Sequence, residues 1–265
     1  MSANELQRQV DGAMAFENLF VPALFQEWAP RVCSAAKLRA GDRVLDVACG
    51  TGVVAREAAR RVGPAGSVTG LDLNLGMLAV AKRLRPDIVW RQGDAGSLPF
   101  DAGAFDAVVS QFGLMFFADR VGAIREMARV LAPGGRLAVA VWDSLDRTPA
   151  YAAEVALLER MAGPAAADAL RFPFCLGDTG QLAGLFSAAG LPAAVITSHM
   201  GTGRFPSIRT MIEADLRGWL PLVGITLEDS LIEAILAEAE AELARYRQSD
   251  GTVAFETPAY IVAAA

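Results

Sequence analysis

Three aspartates, Asp46, Asp72 and Asp94, stand at the ends of three successive β-like runs, and the first lies just ahead of a glycine turn, Ala48-Cys-Gly-Thr-Gly52. A turn built on Gly50 and Gly52 lets the backbone pass close to a ligand, and the amides opening the next helix point outward to meet it. Ala48 and Thr51 complete this nucleotide-type binding loop. Its spacing, Gly50-x-Gly52-x-x-Ala55, also satisfies the dinucleotide fingerprint, so the glycines alone leave the ligand open. Asp46 shifts the balance, because a carboxylate in an apolar strand is costly unless a cation or donors satisfy it. A positively charged amino group would do so, whereas a pyrophosphate would be repelled; the competing reading is that Asp46 only braces the turn.

Asp72 stands roughly 20 residues past the glycines, where an acid can accept both hydrogen bonds of a ribose diol. That chemistry does not separate one nucleoside cofactor from another, and Asp72 could instead cap the helix that begins near Asn74. Asp94 sits in Gly93-Asp-Ala95, where its immediate neighbours support nothing more than an Asx turn.

Four stretches in order carry a resemblance to a known family: Val44-Leu-Asp-Val-Ala-Cys-Gly-Thr-Gly52, Val68-Thr-Gly-Leu-Asp-Leu-Asn74, Gly93-Asp-Ala-Gly-Ser-Leu-Pro-Phe100 and Arg129-Val-Leu-Ala-Pro-Gly-Gly-Arg136. As a set they resemble the class I S-adenosylmethionine-dependent methyltransferases, and among them the ubiquinone/menaquinone C-methyltransferases, over roughly residues 40–142. The resemblance implies S-adenosylmethionine as cofactor and a small-molecule methyl acceptor. It implies further that Asp72 holds the ribose, that Leu73 contacts the adenine, and that Asp94 and the Ala95 amide meet the adenine edge. Met77 would wall the adenine, although a core methionine fits that position equally. Gln111 would be the polar residue facing the methionine portion, beside Phe112, Met115 and Phe116, whose packing on the following helix is an equal explanation.

The elements that must position these residues follow from periodicity. Residues 44–47, 67–71, 88–91, 105–110 and 136–142 read as strands, and 53–62, 75–84 and 120–131 as helices, the last ended by Pro133-Gly-Gly135. Such alternation gives an α/β, doubly wound, mostly parallel sheet covered on both faces. With a sixth strand after the turn at Gly190 and a seventh over residues 252–262, the sheet has seven strands in a Rossmann-like methyltransferase arrangement. Between those two strands lies an insertion, residues 205–248. Ser207 is placed to cap its first helix, and Thr226-Leu-Glu-Asp229 resembles a capping box opening its second. The second helix has one apolar face, Leu231, Ile235, Leu236, Ala239, Leu243 and Tyr246, which must cover something: a substrate pocket as a lid, or a second copy in a homodimer. The expected organisation is an N-terminal helical cap over residues 1–40, a core of residues 41–204 and 249–265, and the lid. In the cap, Phe16 or Phe20 would shield the sulfonium. Attachment to a membrane surface competes, but the stretch lacks a basic face.

At 265 residues the chain can bury a large core, and its 53% hydrophobic content reflects alanine-rich helices, with no apolar run long enough to cross a bilayer. Residues 4–10 do not read as a signal peptide, so a cytoplasmic location is expected. Cys33, Cys49 and Cys175 have no metal-ligand spacing and read as thiols in a reducing compartment, with no metal expected. A net charge of −6 argues against nucleic acid. The one histidine, His199, is a candidate general base and more readily a structural residue; methyl transfer from a sulfonium leaves the need for a base open. Three readings of function compete: a small-molecule methyltransferase, a non-catalytic cofactor-binding module, and a nicotinamide dehydrogenase, for which no catalytic tyrosine-lysine pair is evident.

Overall fold

The computed structural model describes residues 3–265. The chain opens with helix α1 (Ala3–Ala15), a wider-pitched π-helical stretch (Phe16–Phe25) and α2 (Trp28–Ala35). It then alternates β1 (Arg43–Val47), α3 (Val53–Val62), β2 (Ser67–Asp72), α4 (Leu75–Leu84), β3 (Val89–Gln92), β4 (Phe105–Gln111), α5 (Arg120–Arg129) and β5 (Leu131–Trp142). Helices α6 (Pro149–Ala162), α7 (Pro164–Arg171) and α8 (Thr179–Ala188) lead to β6 (Val195–Phe205). The insertion holds α9 (Ile208–Glu213), a second π-helical stretch (Ala214–Trp219), the single turn α10 (Leu220–Leu222) and α11 (Asp229–Glu242), and β7 (Val253–Ala264) closes the sheet.

The seven strands run in the order β3-β2-β1-β4-β5-β7-β6, with β7 antiparallel to both neighbours and the others parallel. Strand order reverses between β1 and β4, and the crevice beyond their carboxyl ends is where an open sheet of this kind takes a ligand. β1 is paired on both sides, and Val44, Leu45, Asp46 and Val47 are all buried, which is why its side chains do not alternate apolar and polar.

Three elements depart from the sequence expectations. α5 stops at Arg129, and β5 begins at Leu131, which pairs with Phe105; the register then shifts so that Ala107 meets Arg136. Pro133-Gly-Gly135 is therefore bulged out of a strand rather than ending a helix, as suits a residue without an amide donor beside Gly134 at φ +74. β6 continues past His199 to Phe205, through two glycines that look like turn residues. These lie flat in the strand because a Cβ at Gly201 would meet Trp28 at 2.4 Å and one at Gly203 would meet Phe255 at 2.7 Å. In the insertion Ser207 caps α9 by accepting from the Thr210 amide, but the Thr226 box does not form: α11 starts two residues later than the box requires, after Glu228, with no side-chain cap.

The N-terminal segment lies across the carboxyl edge of the sheet. α1 packs on α4, where a Cβ on Gly76 would sit 2.4 Å from the Gln9 backbone. Pro22 inside the following stretch lacks an amide donor, which accounts for the wider pitch there and turns Phe16, Phe20 and Phe25 toward the sheet. Gly76→Ala is expected to lift α1 from α4. Trypsin cleavage at Arg8 should accelerate by about tenfold while the melting temperature of the whole chain falls by only a few degrees, because a locally docked helix opens at lower cost than the core.

Candidate active site

A cavity of about 900 Å³ opens at the carboxyl ends of the central strands, with the Phe16–Phe25 stretch on one side and Asp215, Trp219, Leu222 and Val223 of the insertion on another. Asp46, Ala48, Gly50, Thr51, Asp72, Leu73, Met77, Asp94, Ala95 and Gln111 all line it. Gly52 does not; it shapes the turn from behind, as the left-handed residue (φ +89) ahead of α3. Sequence reasoning missed what packs there. The Trp90 indole lies over both Gly52 and Gly70, and a Cβ on either would meet the ring at 2.4 Å.

The turn is held by a chain of short bonds. The Cys49 amide donates to the Leu71 carbonyl at 3.0 Å, the Gly52 amide to the Cys49 carbonyl at 2.8 Å, and the Ala55 amide to Asp46 Oδ2 at 2.9 Å. Ala48 and Gly50 both adopt positive φ, 56 and 54. Asp72 accepts from the Gly50 amide through one oxygen and from the Asn74 amide through the other, each at 2.8 Å. A carboxylate has about four lone-pair sites, so these two bonds leave room for a diol. The helix cap is Asn74, which accepts from Gly76 and Met77. Asp94 does form the Asx turn, accepting from the Gly96 amide, and its exposed carboxylate still faces the cavity. Met77 serves the cavity wall and also packs against the small cluster of Val10, Ala13 and Val80.

Electrostatics single out Asp46. Burial pushes its carboxyl up to about 8, with the nearby Asp72 charge adding to the rise against the Ala55 hydrogen bond and Arg56. Burial likewise raises Asp72. The N-terminal segment is tied to this turn from above: Arg56 donates to the Thr51 carbonyl at 2.7 Å and pairs with Glu17 at 2.8 Å. Gln111 donates to the Phe25 carbonyl at 3.1 Å, while its Oε1 and the Thr51 hydroxyl are buried without a partner. Those two orphaned atoms border the cavity and suit a polar ligand. Beside them Phe112, at φ +55, stacks on Trp142 with ring centroids 3.7 Å apart.

His199 is not part of this arrangement. It lies on edge strand β6 in a separate groove with Pro30, Arg31 and Ser34, its Nε2 2.9 Å from the Thr197 hydroxyl, and burial with Arg31 nearby lowers its pKa. That groove is separate from the cavity lined by the aspartates.

The opposite end of the cavity holds groups that the sequence reading passed over. Tyr151 and Glu154 of α6 and Asp215 of the insertion are all buried; Asp215 and Tyr151 line the cavity and Glu154 lies close to both. Burial pushes Asp215 up to about 8, and burial with the Asp215 charge holds Glu154 well above the carboxylate range. The signal was present: Glu154 falls on the same helical face as Tyr151, Val155 and Leu158, and Asp215 one turn after Met211, both at positions where apolar residues belong.

Residues 45–139 match the model of a methyltransferase domain. Over these residues the chain is similar to a methyltransferase domain. Similar relatives include the demethylmenaquinone methyltransferase of Beutenbergia cavernae, 42% identical over 117 residues, or 44% of this chain and 48% of that protein. The ubiquinone/menaquinone biosynthesis C-methyltransferase of Pseudomonas aeruginosa is 42% identical over 118 residues, 42% of this chain and 46% of its own. The chain thus spans about half the length of the curated relatives it matches. The fold extends further: a phosphoethanolamine N-methyltransferase of Haemonchus contortus, solved with S-adenosyl-L-methionine, superposes with a TM-score of 0.60 at 17% identity, covering 96% of this chain and 57% of that one. Among the described residues no helix is long and apolar enough to cross a membrane.

The raised carboxyls fix how stability depends on pH. Asp46, Asp215 and Glu154 keep their protons in the folded chain, whereas ordinary carboxyls in the unfolded chain release them near pH 4. Their contribution is therefore complete below about pH 4 and is lost as pH rises toward about 8. Denaturant unfolding of the ligand-free protein from about pH 5 to about pH 8 should show stability falling, and falling less steeply in the double variant Asp215→Asn, Glu154→Gln.

Proposed function

We propose that the chain is an enzyme that transfers the methyl group of S-adenosylmethionine to an oxygen, nitrogen or carbon atom of a small apolar or aromatic acceptor. The observation that carries this reading is the lining of the cavity: among the described residues, five aspartates, Asp46, Asp72, Asp94, Asp119 and Asp215, and no lysine, arginine or histidine. A pyrophosphate has no counter-charge there, whereas a cationic nucleoside does. The names of the matched relatives, quinone methyltransferases, support an acceptor with an apolar ring.

Bound cofactor supplies a methyl group already activated by a sulfonium. Asp46 meets the amino group, Asp72 the ribose hydroxyls, and Asp94 with the Ala95 amide the adenine edge, against Leu73 and Met77. Thr51 and Gln111 offer their unpartnered oxygens to the amino-acid portion. The remaining work is alignment of the acceptor and exclusion of water, and alignment alone is worth about 7 kcal/mol or more in favourable cases. Residues 1–40 act as a cap, of which the first two residues lie outside the described residues, and residues 205–248 act as a lid over the core formed by 41–204 and 249–265. Phe16, Phe20 and Phe25 of the cap and Trp219 of the insertion border the cavity, which supports both roles.

Calorimetric titration with S-adenosylmethionine and, separately, NADH tests the reading: binding of the former alone is expected, and binding of NADH alone would overturn it. Asp46 gives the titration a pH signature. Its carboxyl is protonated below about 8 in the free protein, and a cationic amino group favours the ionised form. Affinity should therefore rise with pH to about 8 and then level off, with protons released on binding. Asp46→Asn should weaken binding by about tenfold or more and flatten that profile.

A further inference from the structure

Asp46, Asp72 and Asp94 belong to the half of the sheet formed by β1, β2 and β3. Asp215 and Glu154 do not. Thr257, which lines the cavity beside them, stands on β7, three strands from β1 in the order β1-β4-β5-β7. At about 4.8 Å per strand that is roughly 14 Å across the sheet, enough to place a ring-sized molecule between the two ends. The family match ends at residue 139, ahead of Tyr151, Glu154, Asp215 and Thr257, so the chemistry of this end is set by the chain's own residues.

The acids at this end have only each other: Glu154 and Asp215 share a side-chain hydrogen bond, while the Thr148 and Thr257 hydroxyls are buried with no partner, and each of these residues is at most 3% exposed. Asp215, Thr148 and Thr257 open onto the cavity. No basic side chain is paired with either acid among the described residues. Burial keeps this pair protonated, and a basic amine can take one of those protons and stay beside the carboxylate it leaves, a charge-assisted contact that a neutral guest does not offer. The nearby walls are aromatic: Tyr151, Phe174, Trp142 and Trp219 border the same space, and ring faces attract an ammonium.

We infer that this end of the cavity is an ammonium subsite: the methyl acceptor is a small aromatic or apolar molecule carrying a basic amine, anchored at Asp215, which Glu154 backs from behind, with the Thr148 and Thr257 hydroxyls on the same cavity wall. The amine anchors the acceptor and turns its far end toward the cofactor; it is not itself assigned as the atom methylated. This rests on the methyltransferase reading of the cavity.

The test uses the full chain saturated with S-adenosylhomocysteine, whose own binding is measured first; failure at that step would sink the cofactor reading rather than the subsite. Phenethylamine and tryptamine are then titrated against their neutral counterparts 2-phenylethanol and indole-3-ethanol. The amines are expected to bind about tenfold or more tightly than the alcohols. Asp215→Asn should remove that preference by weakening the amines alone, with cofactor affinity unchanged. Glu154→Gln, which keeps the volume, should do the same to a smaller degree and covers the case in which Asp215→Asn fails to fold. Binding of the amines should also release protons, seen as a heat that changes with the ionisation enthalpy of the buffer. Equal affinity for amine and alcohol, no amine binding up to about 10 mM, or an amine preference that survives both substitutions would overturn the proposal and leave the acid pair as a brace between α6 and the insertion.

Discussion

The hydrogen bond from the Ala55 amide to Asp46 is the contact on which the rest of the site depends. It ties the first turn of α3 to a carboxyl buried inside β1, so the glycine turn between them has little freedom. That constraint forces Ala48, Gly50 and Gly52 into positive φ and leaves the Gly50 amide directed at Asp72. It also places a group that resists ionisation at the mouth of β1, where only a cation or a proton can satisfy it. Binding geometry and electrostatic demand thus come from one residue. Loss of the Asp46 carboxyl would relax the turn as well as remove that demand.

The cavity is assembled from segments that are far apart in the chain and fastened by different chemistry. The N-terminal stretch buries Phe20, Val21, Ala23 and Leu24 and is also held by polar contacts, through Glu17 to Arg56 and from there to the Thr51 carbonyl, and through the Phe25 carbonyl to Gln111. The insertion is fixed by apolar packing: Ile232, Ile235, Leu236 and Ala239 of α11 are buried, and α11 packs on α6 and α9 rather than lining the cavity. Its surface carries ion pairs from Glu242 to Arg160 and from Glu233 to Arg209. The apolar face of α11 therefore has its partner within the chain, and the part of the insertion that faces the cavity is the shorter run from Asp215 to Val223.

Much of this was legible in the sequence because local rules and fold agree there. Strands β1 to β4, the turn and the Ser207 cap follow from periodicity and side-chain chemistry that act over a few residues. The misreadings share a different cause. Pro133-Gly-Gly135 signals a break locally, yet its tertiary partner holds it in a strand, with β4 accommodating the bulge. Glu154 and Asp215 were overlooked because an acid within a short helical run reads as a solvated position unless its phase is followed turn by turn. His199 attracted notice as the lone imidazole, but residue type says nothing about which edge of a sheet a strand will occupy, and β6 took the far one.

Trp90 has a consequence for how this chain can diverge. One indole fills the space above Gly52 and Gly70, two positions 18 residues apart that both lack room for a methyl group. The three residues form a single volume contributed by the turn, β2 and β3. A side chain can enter at either glycine only if the ring shrinks, and at Gly52 it must also accept a left-handed backbone. A smaller residue at position 90 would open a void behind the turn. Drift at these sites is therefore concerted: in related chains, substitutions at 52, 70 and 90 should arrive together or not at all.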